Sequence, residues 1–150
     1  MKNRADEVIY LMRQYPGHAF SDMKACLLMN LVRYEWNSNR WAMVVDEDNR
    51  ILGWMSWYCF DTPSLLSIRD RGLVGCYYQN IPLNDGQHVF VCNSIVRPGQ
   101  PVKVFRNLRN MVYEANKGKQ TINAWLCNRK NQQRWFCKPI SKRRQKCQDL

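Results

Sequence analysis

The sequence predicts an α+β fold of the α/β three-layer kind, a mixed, mostly antiparallel central sheet flanked by helices. Three observations lead there. The elements read in the order helix, helix, strand, strand, short helix, strand, helix, strand. One of these strands, Val89-Phe90-Val91-Cys92 with Ile95-Val96, is apolar on both faces, as in a strand covered on both sides. A chain of 150 residues, 45% hydrophobic and 12% aromatic, also has enough apolar surface for one core, which excludes a disordered protein.

Ala5 to Tyr15 reads as a helix because Val8, Leu11, Met12 and Tyr15 share a face, and Pro16-Gly17 ends it. Ser21 can cap a second helix whose Met23, Leu27, Leu28 and Leu31 face inward before Trp36; Asn37-Ser38-Asn39 closes it. Two strands, Trp41 to Val45 and Ile51 to Tyr58, flank the polar run 46–50 and form an antiparallel hairpin. Thr62 as cap and Pro63 at the first helical position open a short surface helix that Gly72 ends. The two-faced apolar strand follows. Arg97-Pro98-Gly99-Gln100-Pro101 then breaks the chain, and a helix from Val102 to near Lys117 carries Phe105, Leu108 and Val112 on one face, with Arg106, Arg109 and Tyr113 on another. Ile122 to Cys127 and Arg134 to Phe136 are the last strands.

One domain over residues 1–140 is expected, followed by a basic, mobile tail over 141–150. The absence of a run of roughly 20 apolar residues predicts no membrane span, and the acidic residues after Met1-Lys2-Asn3-Arg4 replace a signal-peptide core; the expected location is cytoplasmic. Seven cysteines without a Cys-x-x-Cys pair predict reduced thiols and no metal centre. Asp46-Glu47-Asp48 lacks calcium-loop spacing and reads as a solvated turn.

The net charge of +11 is placed unevenly. Residues 1–100 are balanced, whereas 101–150 hold thirteen basic side chains against two acidic ones. Such a one-sided field attracts an acidic protein or nucleic acid to residues 101–146.

Only His18 and His88 have an unperturbed pKa suited to acid–base work near neutrality. His18 follows a helix stop, in a loop that can face a cleft; His88 begins a strand, where packing or a backbone hydrogen bond is expected. The sequence holds no Gly-x-Ser-x-Gly, Walker-type or dinucleotide glycine pattern. The Pro/Gly turn before the basic helix is either an ordinary connection or a place where helix N–H groups meet an anion or a thioester oxygen.

Pro16-Gly17-His18, then Ile51-Leu52-Gly53-Trp54-Met55-Ser56-Trp57, then Asn93-Ser94-Ile95-Val96-Arg97-Pro98-Gly99 before a basic helix, together resemble the toxin-activating lysine acyltransferases. That family is a divergent branch of the Gcn5-related N-acetyltransferase fold, so the resemblance implies an acetyltransferase-like architecture. It implies acyl transfer from an acyl thioester, on acyl carrier protein or CoA as co-substrate, to an amine such as a protein lysine. His18 matches the family's histidine, and Asn93 stands where the family has an aspartate. The Trp-Pro after the family's histidine is replaced by Ala19-Phe20-Ser21, and the family's Pro-Phe-Gly by Arg97-Pro98-Gly99. An asparagine can orient an imidazole or donate to an oxyanion but holds no negative charge. Carried over, Val96, Arg97, Gly99, Gln100, Lys103 and Arg106 would hold the thioester cofactor, His18 and Asn93 the chemistry. The alternative is a catalytically altered protein of the same fold, suited to a phage or mobile element, that binds nucleic acid or an acidic host protein through its basic last third. Either leaves a homodimer open.

Overall fold

In a computed structural model of the chain, residues 2–14, 23–127, 130 and 132–140 are described. His18 and the tail over 141–150 lie outside them. The elements are α1 (Ala5–Arg13), α2 (Ala25–Asn37), β1 (Trp41–Val45), β2 (Ile51–Phe60), α3 (Thr62–Tyr78), β3 (His88–Val96), α4 (Val102–Ala115), β4 (Thr121–Cys127) and β5 (Gln133–Pro139). The strands form one mixed sheet in the order β1-β2-β3-β4-β5. β1 pairs antiparallel with β2, β3 parallel with β4 from His88 opposite Thr121 to Val91 opposite Ala124, and β4 antiparallel with β5. A parallel pair needs a crossover, and α4 supplies it. The α+β, mixed-sheet expectation is met.

The chain divides into two compact units, Met1–Ser56 with Asn93–Val112, and Trp57–Cys92 with Tyr113–Leu150. In the first, Val8, Leu11 and Met12 of α1 pack with Leu28, Val32 and Trp36 of α2 and with Ile51, Trp54 and Ile95 of the strands. Trp36, Trp41 and Trp54 stack, with ring centroids 4.3 to 5.6 Å apart. The tryptophans of this unit therefore serve packing. Arg4 ties α1 to the β1–β2 turn: its guanidinium donates to both carboxylate oxygens of Glu7 and to the Asn49 side chain and carbonyl. That charge holds Glu7 below the usual carboxylate range, chiefly through the hydrogen bond.

Two helices expose different faces from those the sequence suggests. On α2 the fully buried positions are 28, 32, 35 and 36, with Leu27 and Leu31 only half-buried. On α4 they are Val104, Leu108 and Val112, and Phe105 is 41% exposed. The inward stripe of α4 reaches Gly53 of β2, where an added Cβ would lie 2.7 Å from Leu108 Cδ1 and 3.2 Å from Val104 Cγ1. A side chain at this position would force Leu108 to shift.

In the second unit Phe60, Leu65, Ile68, Cys76 and Phe90 form the core, with Trp135 stacked on Phe90 at 6.0 Å. Asp61, not Thr62, caps α3, its Oδ1 accepting from the Ser64 N–H at 2.9 Å. Thr62 is left to bond His88 instead. At Gly72, φ 73° and ψ 165° break the helix, as the sequence suggests, but a further helical stretch follows at once and runs to Tyr78.

Candidate functional site

β3 positions the central candidate. Side chains alternate along a strand, so Asn93 and Ile95 turn inward while Ser94 is exposed. Asn93 is 1% exposed. Its Nδ2 donates to Glu35 Oε1 at 3.1 Å and to Oε2 at 3.0 Å, and the Ser56 hydroxyl of β2 donates to Oε2 at 2.8 Å. Glu35 and Ser56 are themselves 1% and 0% exposed. The first unit thus contains a buried carboxyl that receives hydrogen bonds from an amide and a hydroxyl.

Glu35 is the buried polar residue of this cluster that motif reading missed. The signal for it is the spacing 28, 32, 35, 36 on α2, which places an acid on a stripe of Leu, Val and Trp. Acids are almost never fully buried unless paired, so its burial demands the donors found around it. The Asn93 amino group faces both carboxyl oxygens, which turns Oδ1 away from them. Oδ1 is buried and has no hydrogen-bond partner among the described residues.

After β3 the chain turns. The Arg97 N–H donates to Leu52 O at 2.7 Å and its Nε to Ile51 O at 3.0 Å, so this residue fastens the turn to β2. The Gln100 N–H donates to Arg97 O at 3.3 Å, and Gly99 takes φ 80° between them, a conformation that favours glycine. Two of the N–H groups expected to face a ligand are therefore used within the fold. Val96 ends β3, half-buried, and Lys103 and Arg106 are exposed on the first turns of α4, three residues apart on one face. The structure places Val96, Arg97, Gly99, Gln100, Lys103 and Arg106 in one continuous strand-turn-helix segment. Asn93 looks instead to Glu35 and Ser56.

The first turn of α4 holds no acidic residue. Helix N-termini carry partial positive charge and favour acids, so cations there work against helix stability.

A second polar cluster lies in the other unit. His88 Nε2 is 3.0 Å from Thr62 Oγ1 and Nδ1 is 2.7 Å from Thr121 Oγ1, so it bonds side-chain hydroxyls rather than backbone. It lines an open depression of about 210 Å³ with Asp61, Thr62, Gly86, Gln87 and Gln120. The Ser64 hydroxyl and N–H hold Asp61 below the usual carboxylate range. Burial pushes the Cys76 thiol up, the opposite of what a nucleophilic cysteine needs.

No protein-family model matches the sequence, and no curated protein matches it. Among solved structures the chain is similar to GphF, described as a GNAT-like decarboxylase in complex with isobutyryl-CoA. The TM-score is 0.60, with 17% identity over 97% of this chain and 67% of that one. The fold is GNAT-like. The acetyltransferase-like architecture expected from the sequence is therefore present. No helix among the described residues is long and apolar enough to cross a membrane.

Proposed function

We propose that the protein is an acyltransferase, moving an acyl group from a thioester of CoA or acyl carrier protein to an amine such as a protein lysine. The observation that carries this reading is the electropositive start of α4, placed directly after the Arg97–Gln100 turn of a GNAT-like fold. The cations Lys103 and Arg106 at the start of α4 suit the phosphates common to CoA and to the carrier-bound pantetheine arm. The same cations suit the acidic helix of a carrier protein. The GNAT-like neighbour was solved with isobutyryl-CoA, a thioester of that class, which supports the same ligand here. The resemblance to toxin-activating lysine acyltransferases adds the amine acceptor, with His18 as base.

Calorimetric titration with isobutyryl-CoA and with acylated carrier protein tests the reading, followed by an amine-transfer assay. Binding of one donor with Kd on the order of 1–100 µM is expected, weakened by Lys103→Glu with Arg106→Glu. Absence of binding by both donors would overturn it. Oligonucleotide binding that falls steeply with salt, without thioester binding, would favour the nucleic-acid role of the basic last third.

A further inference from the structure

We propose that Asn93 Oδ1 is the atom that receives the N–H of a primary alkylamine, and that Glu35 is the residue that positions it. The proposal rests on the acyltransferase reading for the amine's role but not for its binding.

The geometry begins with orientation. An asparagine amide has two nearly isosteric ends, and its direction is set by its partners. Here the Glu35 carboxylate lies 3.0 and 3.1 Å from Nδ2, while Ser56 at 2.8 Å holds that carboxylate in place. Turning the amide over would set oxygen against oxygen. Oδ1 is thus fixed as an acceptor on the side away from Glu35, in a residue 1% exposed and with no partner among the described residues.

A buried acceptor left unpaired is destabilising, so natural folds keep one where a ligand or a water supplies the donor. The chemistry of the donor follows from the surroundings. The amide donates its amino group to Glu35, and hydrogen bonds along such a chain polarise one another, so the oxygen at the far end favours a strong N–H donor. Burial selects a slender group, the terminal ammonium or amine of an alkyl chain rather than an amide flanked by substituents. Within the acyltransferase reading, this is the acceptor amine held near the acyl carbon, nucleophilic once its ammonium has given a proton to the base.

The test is made on the intact protein, labelled with 13C and 15N, titrated with n-butylamine and, separately, with N-butylacetamide and n-butanol. Saturable movement of the Asn93 side-chain carbonyl and amino resonances with n-butylamine, at least tenfold weaker with the neutral probes, is expected. The Glu35→Gln protein should bind n-butylamine at least tenfold more weakly while its affinity for isobutyryl-CoA stays close to that of the parent, a split that a merely structural carboxyl would not produce. Resonances of Asn93 that do not move at saturating n-butylamine mean that Oδ1 is satisfied by a water, and they overturn the proposal, as does equal response to all three probes. Amine binding at Asn93 without transfer from any thioester would leave the site standing and refute the acyltransferase reading instead.

Discussion

The Asn93 amide and the Glu35 carboxylate are hydrogen-bonded in the interior of one unit although they are 58 residues apart in sequence. This pair, with Ser56, concentrates polar chemistry in a region otherwise built from tryptophan and aliphatic side chains. Its removal therefore has consequences for stability as well as for chemistry.

Replacing Glu35 by Ala leaves two buried donors, Asn93 Nδ2 and Ser56 Oγ, without this acceptor. Leaving buried polar groups unsatisfied costs about 1–3 kcal/mol each, and a loss of about 3 kcal/mol is expected from the urea midpoint at constant slope. A change under about 1 kcal/mol would show that water replaces the carboxyl freely.

Asn93→Asp sets a second carboxyl beside Glu35 where the donor now stands. Two like charges at this separation cannot both ionise without penalty, and a loss of at least about 2 kcal/mol at pH 7 is expected. Adding Glu35→Gln restores one charge and one donor across the same contact. More than half of the lost stability should return, and a double-mutant cycle with no coupling would contradict the pairing.

Asp61→Ala removes the cap of α3. The Asp61 carboxyl titrates below its ordinary value because Ser64 donates to it. A depressed folded pKa means stability that is full above the unfolded value, near 3.9, and lost as pH falls through the folded value. The variant should melt below the parent at pH 7, and the gap should narrow below pH 4. A constant gap down to pH 2 would exclude the charged cap.

Two glycines separate packing from conformation. Gly53→Ala drives a Cβ to 2.7 Å from Leu108 Cδ1 and 3.3 Å from Ile95 O, and overpacking of this kind costs about 1–3 kcal/mol. Gly99→Ala meets no atom within 4 Å but must hold φ 80°, for which about 1 kcal/mol is expected. Chemical denaturation of both variants should rank Gly53→Ala as the more damaging.

The order of elements was legible because apolar period and turn residues mark it at nearly every junction. The hairpin at 41–58, the end of a helical stretch at Gly72 and the strand-turn-helix run from His88 all lie where those signals place them. What was less legible is rotational phase. Residues 27–32 of α2 include Leu27, Leu28, Leu31 and Val32, which supply two overlapping stripes, and only packing selects the one that includes Glu35. Val104 and Phe105 present the same ambiguity on α4. Asp61 and Thr62 are adjacent residues that can each cap a helix, and the difference between them is one turn of φ and ψ that sequence does not encode. Asn93 was legible only through the family resemblance, where it stands in place of an aspartate, whereas its partner required the fold.

The first unit draws on Met1–Ser56 and Asn93–Val112, two segments separated by the whole of α3 and the first half of β3. During synthesis, then, α1, α2 and the hairpin leave the ribosome well before the strand end and helix that cover Trp54 and Gly53. Until that second segment emerges, a large aromatic surface and an acid selected for burial are both open to water. A nascent chain arrested before Asn93 is expected to be a substrate for chaperones and proteases, and truncation from the carboxyl end should abolish the fold abruptly rather than by degrees.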